Sequence, residues 1–299
     1  MLMIIHGHHL RSMAPPGWTN IGAECKIATS NVVRLGEGWS CVVYLVDSQY
    51  VFKLAKKAEG GAELVKEAKL LEFLEARLPA TTPTIHCVFP ESKAWENGYS
   101  VQGFIDGTSL SKAPSNLDMM ADRVGTTLRV LHSLPQEGLG ELTNPSFRNE
   151  PHRFLAEALD RIQQRYGKAT RQQIDLACNR FLDTRDFFEF VPCLIHGDLH
   201  DEHIIQINDR KIGLIDWGDA VFGDPDRDFL LLYQRMGQGF VSRCAQAYGH
   251  NNLPLLFQKL EGLVLLSELY DVVYAGKLGF PGEEDKAFEG VKRWADRNA

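Results

Sequence analysis

The residues best equipped for chemistry lie between positions 194 and 219. Leu194-Ile195-His196-Gly197-Asp198-Leu199-His200-Asp201-Glu202-His203 runs from an apolar stretch into a crowd of carboxylates and imidazoles. A second apolar stretch, Ile212-Gly213-Leu214-Ile215, leads directly to Asp216-Trp217-Gly218-Asp219. Reactive groups placed where strands meet loops are held by a rigid scaffold yet stay accessible. Asp198, five residues before His203 and eighteen before Asp216, could join them in a base-plus-metal cluster. The donors His196, Asp198, His200, Asp201 and His203 are also the types used by zinc or two-metal hydrolases, but without the helical H-E-x-x-H spacing.

Two earlier segments bear on the same question. In Val51-Phe52-Lys53-Leu54-Ala55 a lysine sits inside an apolar strand pattern, and a buried ammonium needs partners. A phosphate and a carboxylate from the following helix, which carries Glu63 and Glu67, would supply them; a lysine facing water, like Lys56 and Lys57, is the plainer alternative. Gly36-Glu37-Gly38 with Ser40 forms a glycine turn whose N–H groups can approach a phosphate. It lacks the third glycine of G-x-G-x-x-G and opens a hairpin, so it is no dinucleotide fingerprint, and a plain hairpin turn explains it equally well.

These groups need elements to position them. β-Branched and aromatic runs predict strands at Ile27–Leu35, Cys41–Val46, Tyr50–Leu54, Thr84–Phe89 and Tyr99–Phe104, the last two joined through the turn Asn97-Gly98. Between them, Leu64, Ala68, Leu71 and Leu78 mark one face of a helix over 59–78, stopped by Pro79. The first hundred residues therefore read β-β-β-α-β-β, an antiparallel sheet with one helix. Helical periodicity follows at 117–133, 152–166 and 170–182, short strands at Cys193–His196, His203–Ile207 and Ile212–Ile215, and helix again over 225–298. The acidic run Asp224-Pro225-Asp226-Arg227-Asp228 reads as a helix start capped by carboxylates. Three units result: a leader and extension at 1–25, a lobe at 26–105 with a hinge at 100–105, and a larger, mainly helical lobe at 106–299.

Composition sets the bounds. The chain has 299 residues, 44% hydrophobic and 24% charged, which excludes disordered and collagen-like classes and fits a two-lobed α+β protein. No apolar stretch approaches the roughly 18–20 residues of a membrane span. The six cysteines show no framework or C-x-x-C spacing and, without a clear secretion signal, read as free thiols of a cytoplasmic protein. The net charge of −7 falls entirely on residues 105–299, and nine acids crowd 196–228. Such a surface argues against nucleic acid and for solubility, or for handling cations.

In order and separation these segments resemble the aminoglycoside phosphotransferase family, which has the bilobal protein-kinase-like fold. HGDLHDEHII is similar to its catalytic loop, IDWGDAVFGDPDRDF to its metal-binding segment, and GEGWSCVVYLV and VFKLAK to its nucleotide loop and phosphate lysine. The G-E-G-W-S start and His203 are closest to the 2''-aminoglycoside and macrolide 2'-kinases. The resemblance implies Asp198 as catalytic base, His203 and Asp216 as metal ligands, and Lys53 with its helix partner Glu67 on the nucleotide phosphates. Gly36, Gly38 and Ser40 would cradle those phosphates, and the backbone of Val101, Gln102 and Gly103 would bind the purine.

The implied activity is transfer of the γ-phosphate of ATP or GTP, with Mg²⁺ and tolerance of Mn²⁺, to a hydroxyl of an aminoglycoside. A macrolide and metabolites such as choline, homoserine or sugars are alternative acceptors, and a nucleotide-binding module without turnover is a further one. The protein would be a monomer acting on small molecules. His200, Asp219, Arg235, Glu268 and Asp271 are the acceptor-site candidates; Glu268 and Asp271 share a helix face at i, i+3, with Glu261 and Glu283-Glu284-Asp285 as further carboxylates. With an ordinary imidazole pKa at His203, activity is expected to fall below about pH 6.5.

Overall fold

The computed structural model describes residues 18–27, 29–38, 40–112, 116–140 and 154–298, so residues 1–17 of the leader and extension expected at 1–25 lie outside the described residues. The strand-forming runs pair as expected. β1 (Val32–Glu37), β2 (Cys41–Val46), β3 (Tyr50–Ala55), β4 (Ile85–Phe89) and β5 (Tyr99–Gly103) form an antiparallel sheet in the order β1-β2-β3-β5-β4. Asp47 and Ser48, with φ of 51° and 55°, close β2 onto β3 in the left-handed turn that matches strand twist. The first strand starts five residues later than expected and runs through Gly36, where a bulge interrupts its pairing with β2.

The two faces of this sheet are covered differently. Trp18 and Ile21 of α1 (Trp18–Cys25) bury against Tyr44, Phe52, Tyr99 and Val101 on one face. Residues 18–25, expected to belong to a leader, therefore pack as part of the sheet's core. On the other face lies α2 (Ala58–Leu74), burying Leu64, Ala68, Leu71 and Leu74. It ends at Leu74 rather than 78, because Ala76 already adopts φ 61° ahead of Pro79.

The remaining chain is mainly helical. α3 (Leu117–Leu131) packs Val124 and Leu128 against Val241 and Cys244 of α6 (Leu230–Tyr248). A second core joins α4 (Leu155–Tyr166), α5 (Lys168–Asp183), α7 (Leu253–Tyr274) and α8 (Pro281–Arg297) through Ile162, Cys178, Leu269 and Val291. Short strands sit between these helices and the large sheet. β6 (Thr108–Ser109), β8 (Ile204–Asn208) and β9 (Lys211–Leu214) make one small sheet, and β7 (Cys193–Ile195) pairs with β10 (Val221–Gly223). β6 and β10, at two and three residues, are too brief to leave a periodic signal. Among the described residues no helix is long and apolar enough to cross a membrane.

Candidate active site

Lys53 is fixed by its strand. It pairs with Val43 on β2 and Ser100 on β5, so its side chain projects from the face covered by α2. Its buried ammonium donates to both oxygens of Glu67 at 2.7 and 2.9 Å and to Asp216 Oδ1 at 2.8 Å. Burial alone would pull the lysine pKa down, but Asp216 and Glu67 reverse that and raise it, so it stays charged. Glu67 also accepts the Trp217 N–H at 3.2 Å, tying α2 to the segment that carries Asp216. Lys53 keeps the Asp216 carboxyl ionised, holding it well below the usual carboxylate range despite burial.

The loop after β7 is built on a glycine and a hidden carboxylate. Gly197 has φ +81°, and a Cβ there would lie 2.3 Å from the Asp219 carbonyl oxygen. Asp228, fully buried, accepts the backbone N–H groups of His196 and Gly197, each at 2.9 Å, and His132 Nε2 at 3.0 Å. Asp198 follows directly. His203 Nδ1 lies 2.8 Å from the Asp198 carbonyl, which only accepts, so Nδ1 carries the proton and Nε2 is bare. That nitrogen is buried without a protein partner and stands 3.5 Å from Asp216 Oδ2. Two lone-pair donors facing each other at that distance favour a cation between them.

Burial depresses the His203 pKa to about 4, which corrects the expectation of protonation near 6.5. The neutral ring remains a ligand well below pH 6. A carboxylate and two imidazoles, those of Asp198, His200 and His203, converge within 4.8 Å. The proton on His203 Nδ1 leaves Nε2 as the only lone-pair donor atom of that ring. His200 Nδ1 accepts the Glu202 N–H at 3.2 Å, and His196 Nε2 lies 3.0 Å from the Ile215 carbonyl oxygen. One nitrogen of each of these rings is thus engaged with the backbone of the loop.

Two cavities flank Asp198. One, of about 740 Å³, is lined by Gly38, Ser40, Lys53, Glu67, Asp216 and Asp219. The other, of about 1480 Å³, lies against α6, α7 and α8. Among the lining residues Asp198 alone belongs to both. The larger cavity combines apolar walls, including Leu230, Leu266 and Tyr270, with the carboxylates Glu37, Asp271 and Glu283.

Several expectations need correction. Gly36 sits inside β1 and not in the connection between β1 and β2. The backbone of Val101 and Gln102 is paired on both sides by β3 and β4, and the Gly103 N–H is given to Thr84 O at 2.8 Å. The strand pairing and the Gly103 N–H are thus engaged within the sheet. The Gln102 and Ser100 side chains, however, share the face of Lys53, and Gln102 Nε2 and Ser100 Oγ are buried without protein partners. Arg235 lines the larger cavity, but its guanidinium is held by Asp201 and by Glu202, the latter at 2.9 Å, so it braces the loop. Glu268 does not join Asp271 in the cavity: it turns toward α8, where a Cβ on Gly290 would lie 2.4 Å from its carboxylate. Of the other acids, Glu261 accepts the Tyr233 hydroxyl, while Glu284 and Asp285 pair at 2.8 Å with Arg161 and Arg165.

The acidic run is more than a cap. Asp224 does accept the Asp226 N–H at 3.1 Å, but both carboxylates also hold Lys259, at 2.7 and 2.8 Å. Asp228 and Glu37 are the functional groups that sequence reasoning missed. The one local signal for Asp228 is the wholly apolar run Phe229-Leu230-Leu231-Leu232 that follows it, which buries that end of the helix.

The chain is similar to known proteins. Residues 31–263 match the model of the phosphotransferase enzyme family. An aminoglycoside 3'-phosphotransferase of Salmonella typhimurium is 23% identical over 256 residues, 82% of this chain and 90% of that protein. The uncharacterized protein YcbJ of Bacillus subtilis is 25% identical over 208 residues, 67% of each chain. Among solved structures, the GDP and kanamycin complex of APH(2")-IIia superposes with a TM-score of 0.84 at 21% identity, covering 94% of this chain and 99% of that one. Macrolide 2'-phosphotransferase type I gives a TM-score of 0.69 at 18% identity, over 94% and 99%.

Proposed function

This chain belongs to the phosphotransferase enzyme family, and we propose that it transfers the γ-phosphate of ATP or GTP to a hydroxyl of a cationic small molecule of the aminoglycoside class. The observation that carries this reading is the position of Asp198, shared by the Lys53 cavity and the larger carboxylate-bearing one. Asp198 accepts the acceptor's hydroxyl proton and aims its oxygen in line with the phosphate. Lys53, held by Glu67, neutralises the donor's phosphate oxygens, and Ser40, in the same cavity, adds a hydroxyl donor. Ser100 and Gln102 meet the purine through their side chains, and the hinge falls beyond Phe104.

His203 Nε2 and Asp216 Oδ2 have the spacing and protonation to hold one divalent cation, Mg²⁺ or Mn²⁺. When bound, that ion supplies positive charge to the nucleotide phosphates. Glu37, Asp271 and Glu283 suit the amino groups of the acceptor. A macrolide is the second reading, favoured by the apolar walls that Leu230, Leu266 and Tyr270 give the same cavity.

The test is a coupled nucleotide-turnover screen with ATP and GTP against aminoglycosides, macrolides, choline and homoserine. One antibiotic class should stimulate turnover, and Asp198→Asn should lower kcat by about 10²–10⁴ while nucleotide affinity is kept. Undiminished turnover in that variant refutes the role of Asp198. Nucleotide binding with no acceptor phosphorylated by the wild type would make the chain a binding module.

A further inference from the structure

Outside the cleft, one pair of nucleophilic side chains is brought together by the fold and has no part in phosphoryl transfer. Cys25 ends α1 and Cys87 lies in β4, yet their Sγ atoms are 3.1 Å apart. Both are half-buried, so a small reagent reaches them, whereas Cys41, Cys178 and Cys244 are buried. We infer that Cys25 and Cys87 form a dithiol site that a peroxide-class oxidant converts to a disulfide joining α1 to β4.

The surroundings assign the two roles. Cys87 S–H donates to Cys25, Cys25 in turn contacts the Tyr99 hydroxyl at 3.3 Å, and that hydroxyl donates to Glu24 at 2.8 Å. The hydrogen bond from Cys87 draws the Cys25 thiol below its ordinary range, outweighing burial and the Glu24 charge. The same bond raises the Cys87 thiol. By contrast, burial pushes Cys41, Cys178 and Cys193 up to about 12. Cys25 is therefore the attacking sulfur and Cys87 the resolving one.

The Cys25 thiolate attacks one peroxide oxygen; the S–O bond forms, the O–O bond breaks, and the leaving hydroxide takes up the released proton as water. Cys87 sulfur then attacks Cys25 sulfur; the S–S bond forms, the S–O bond breaks, and the hydroxide leaves with the Cys87 proton as a second water. Two thiols lose two electrons and one peroxide is reduced to two waters. Closing the bond requires the sulfurs to approach by about 1 Å, toward the roughly 2.05 Å of a disulfide. It lies on the α1 face of the sheet, with Tyr99 and Val101, opposite the face that carries Lys53.

The test is peptide mapping of the full-length protein after a small excess of hydrogen peroxide and alkylation of the remaining thiols. The wild type should yield a linked pair of peptides carrying Cys25 and Cys87, two hydrogens lighter than their sum and released by reductant. Cys87→Ser should stop at a Cys25 sulfenic acid trapped by dimedone, and Cys25→Ser should leave Cys87 as a thiol. A wild type in which 25 and 87 remain alkylatable while other cysteines oxidise overturns the assignment, as does dimedone labelling of Cys87 in place of Cys25. The wild-type map decides the question even if a serine variant fails to fold.

Discussion

Replacing Asp228 by asparagine tests whether the loop bearing Asp198 is held from behind. The aspartate is 1% exposed; Oδ1 accepts the Gly197 N–H, and Oδ2 accepts the His196 N–H and faces His132 Nε2. An amide of the same size offers only one acceptor oxygen. If that oxygen keeps His196, its NH₂ meets the Gly197 N–H, donor against donor. One hydrogen bond to a charged group is lost, about 1.5–3 kcal/mol, and one buried N–H is orphaned, about 1–3 kcal/mol. The expected destabilisation is about 4 kcal/mol, or a fall in Tm of about 10 °C at the 2–4 °C per kcal/mol of larger domains. Asp198 is one residue from the released N–H, and a displacement of about 1 Å at a reacting group costs about 10²-fold in rate. The assay pairs a thermal melt with coupled turnover, measured well below the variant's Tm. A variant with wild-type Tm and kcat would refute the argument outright. A lowered Tm with unchanged kcat would leave Asp228 as a core anchor with no hold on Asp198.

Two further perturbations probe other parts of the same framework. Trp18→Ala removes a ring packed 5.4 Å from Tyr44 and 5.1 Å from Phe52, so it should cost about 3–5 kcal/mol in urea unfolding and expose 18–25 to protease; an unchanged midpoint would detach α1 from the sheet's core. Between pH 7 and pH 4.5 two buried groups act in opposite directions. His203, depressed to about 4, takes up its proton first in the unfolded chain, so its contribution of about 3 kcal/mol is lost as pH falls from 6.5 toward 4. Glu268, raised to about 7 by burial and by Asp271, takes up its proton first in the folded chain, so stability rises as pH falls from 7 to 4.5. Urea midpoints without nucleotide or metal should therefore fall with acidification in Glu268→Gln and rise in His203→Asn; identical slopes in the two variants would contradict both assignments.

Much of the site was legible because its chemistry restricts residue type over short spans. A lysine in an apolar strand needs anions, and Lys53 finds Glu67 one helix later and Asp216 across the cleft. The stretch from His196 to His203 and the segment from Asp216 to Asp219 each announce themselves within ten residues. What escaped was settled by partners distant in sequence. Asp228 was readable only as a helix start, because its ligands lie 31, 32 and 96 positions away. The purine contact was placed on the backbone of 101–103, but β5 is a central strand, and its pairing on both sides is visible only in the fold. Glu268 and Asp271 share a helix face by spacing, yet α8 takes one and the cavity the other.

The same distinction governs the acidity of residues 105–299. Asp216 is neutralised by Lys53, Asp201 and Glu202 by Arg235, Asp224 and Asp226 by Lys259, and Asp228 by loop N–H groups with His132. Apart from Asp216, these carboxylates are spent on the scaffold. Among the described residues the larger cavity is lined by Asp198, Asp271 and Glu283 from this part of the chain and by Glu37 from β1, with Arg227 and Arg235 beside them; Glu283 also pairs with Lys286 at 2.8 Å and Glu37 with Arg34 at 2.6 Å. Net charge thus overstates the pull on a polycation. On the proposed function, selectivity rests on how these carboxylates are placed among the cavity's apolar and arginine side chains, so substitution at Asp271 or Glu283, rather than in the acidic run, should shift acceptor preference.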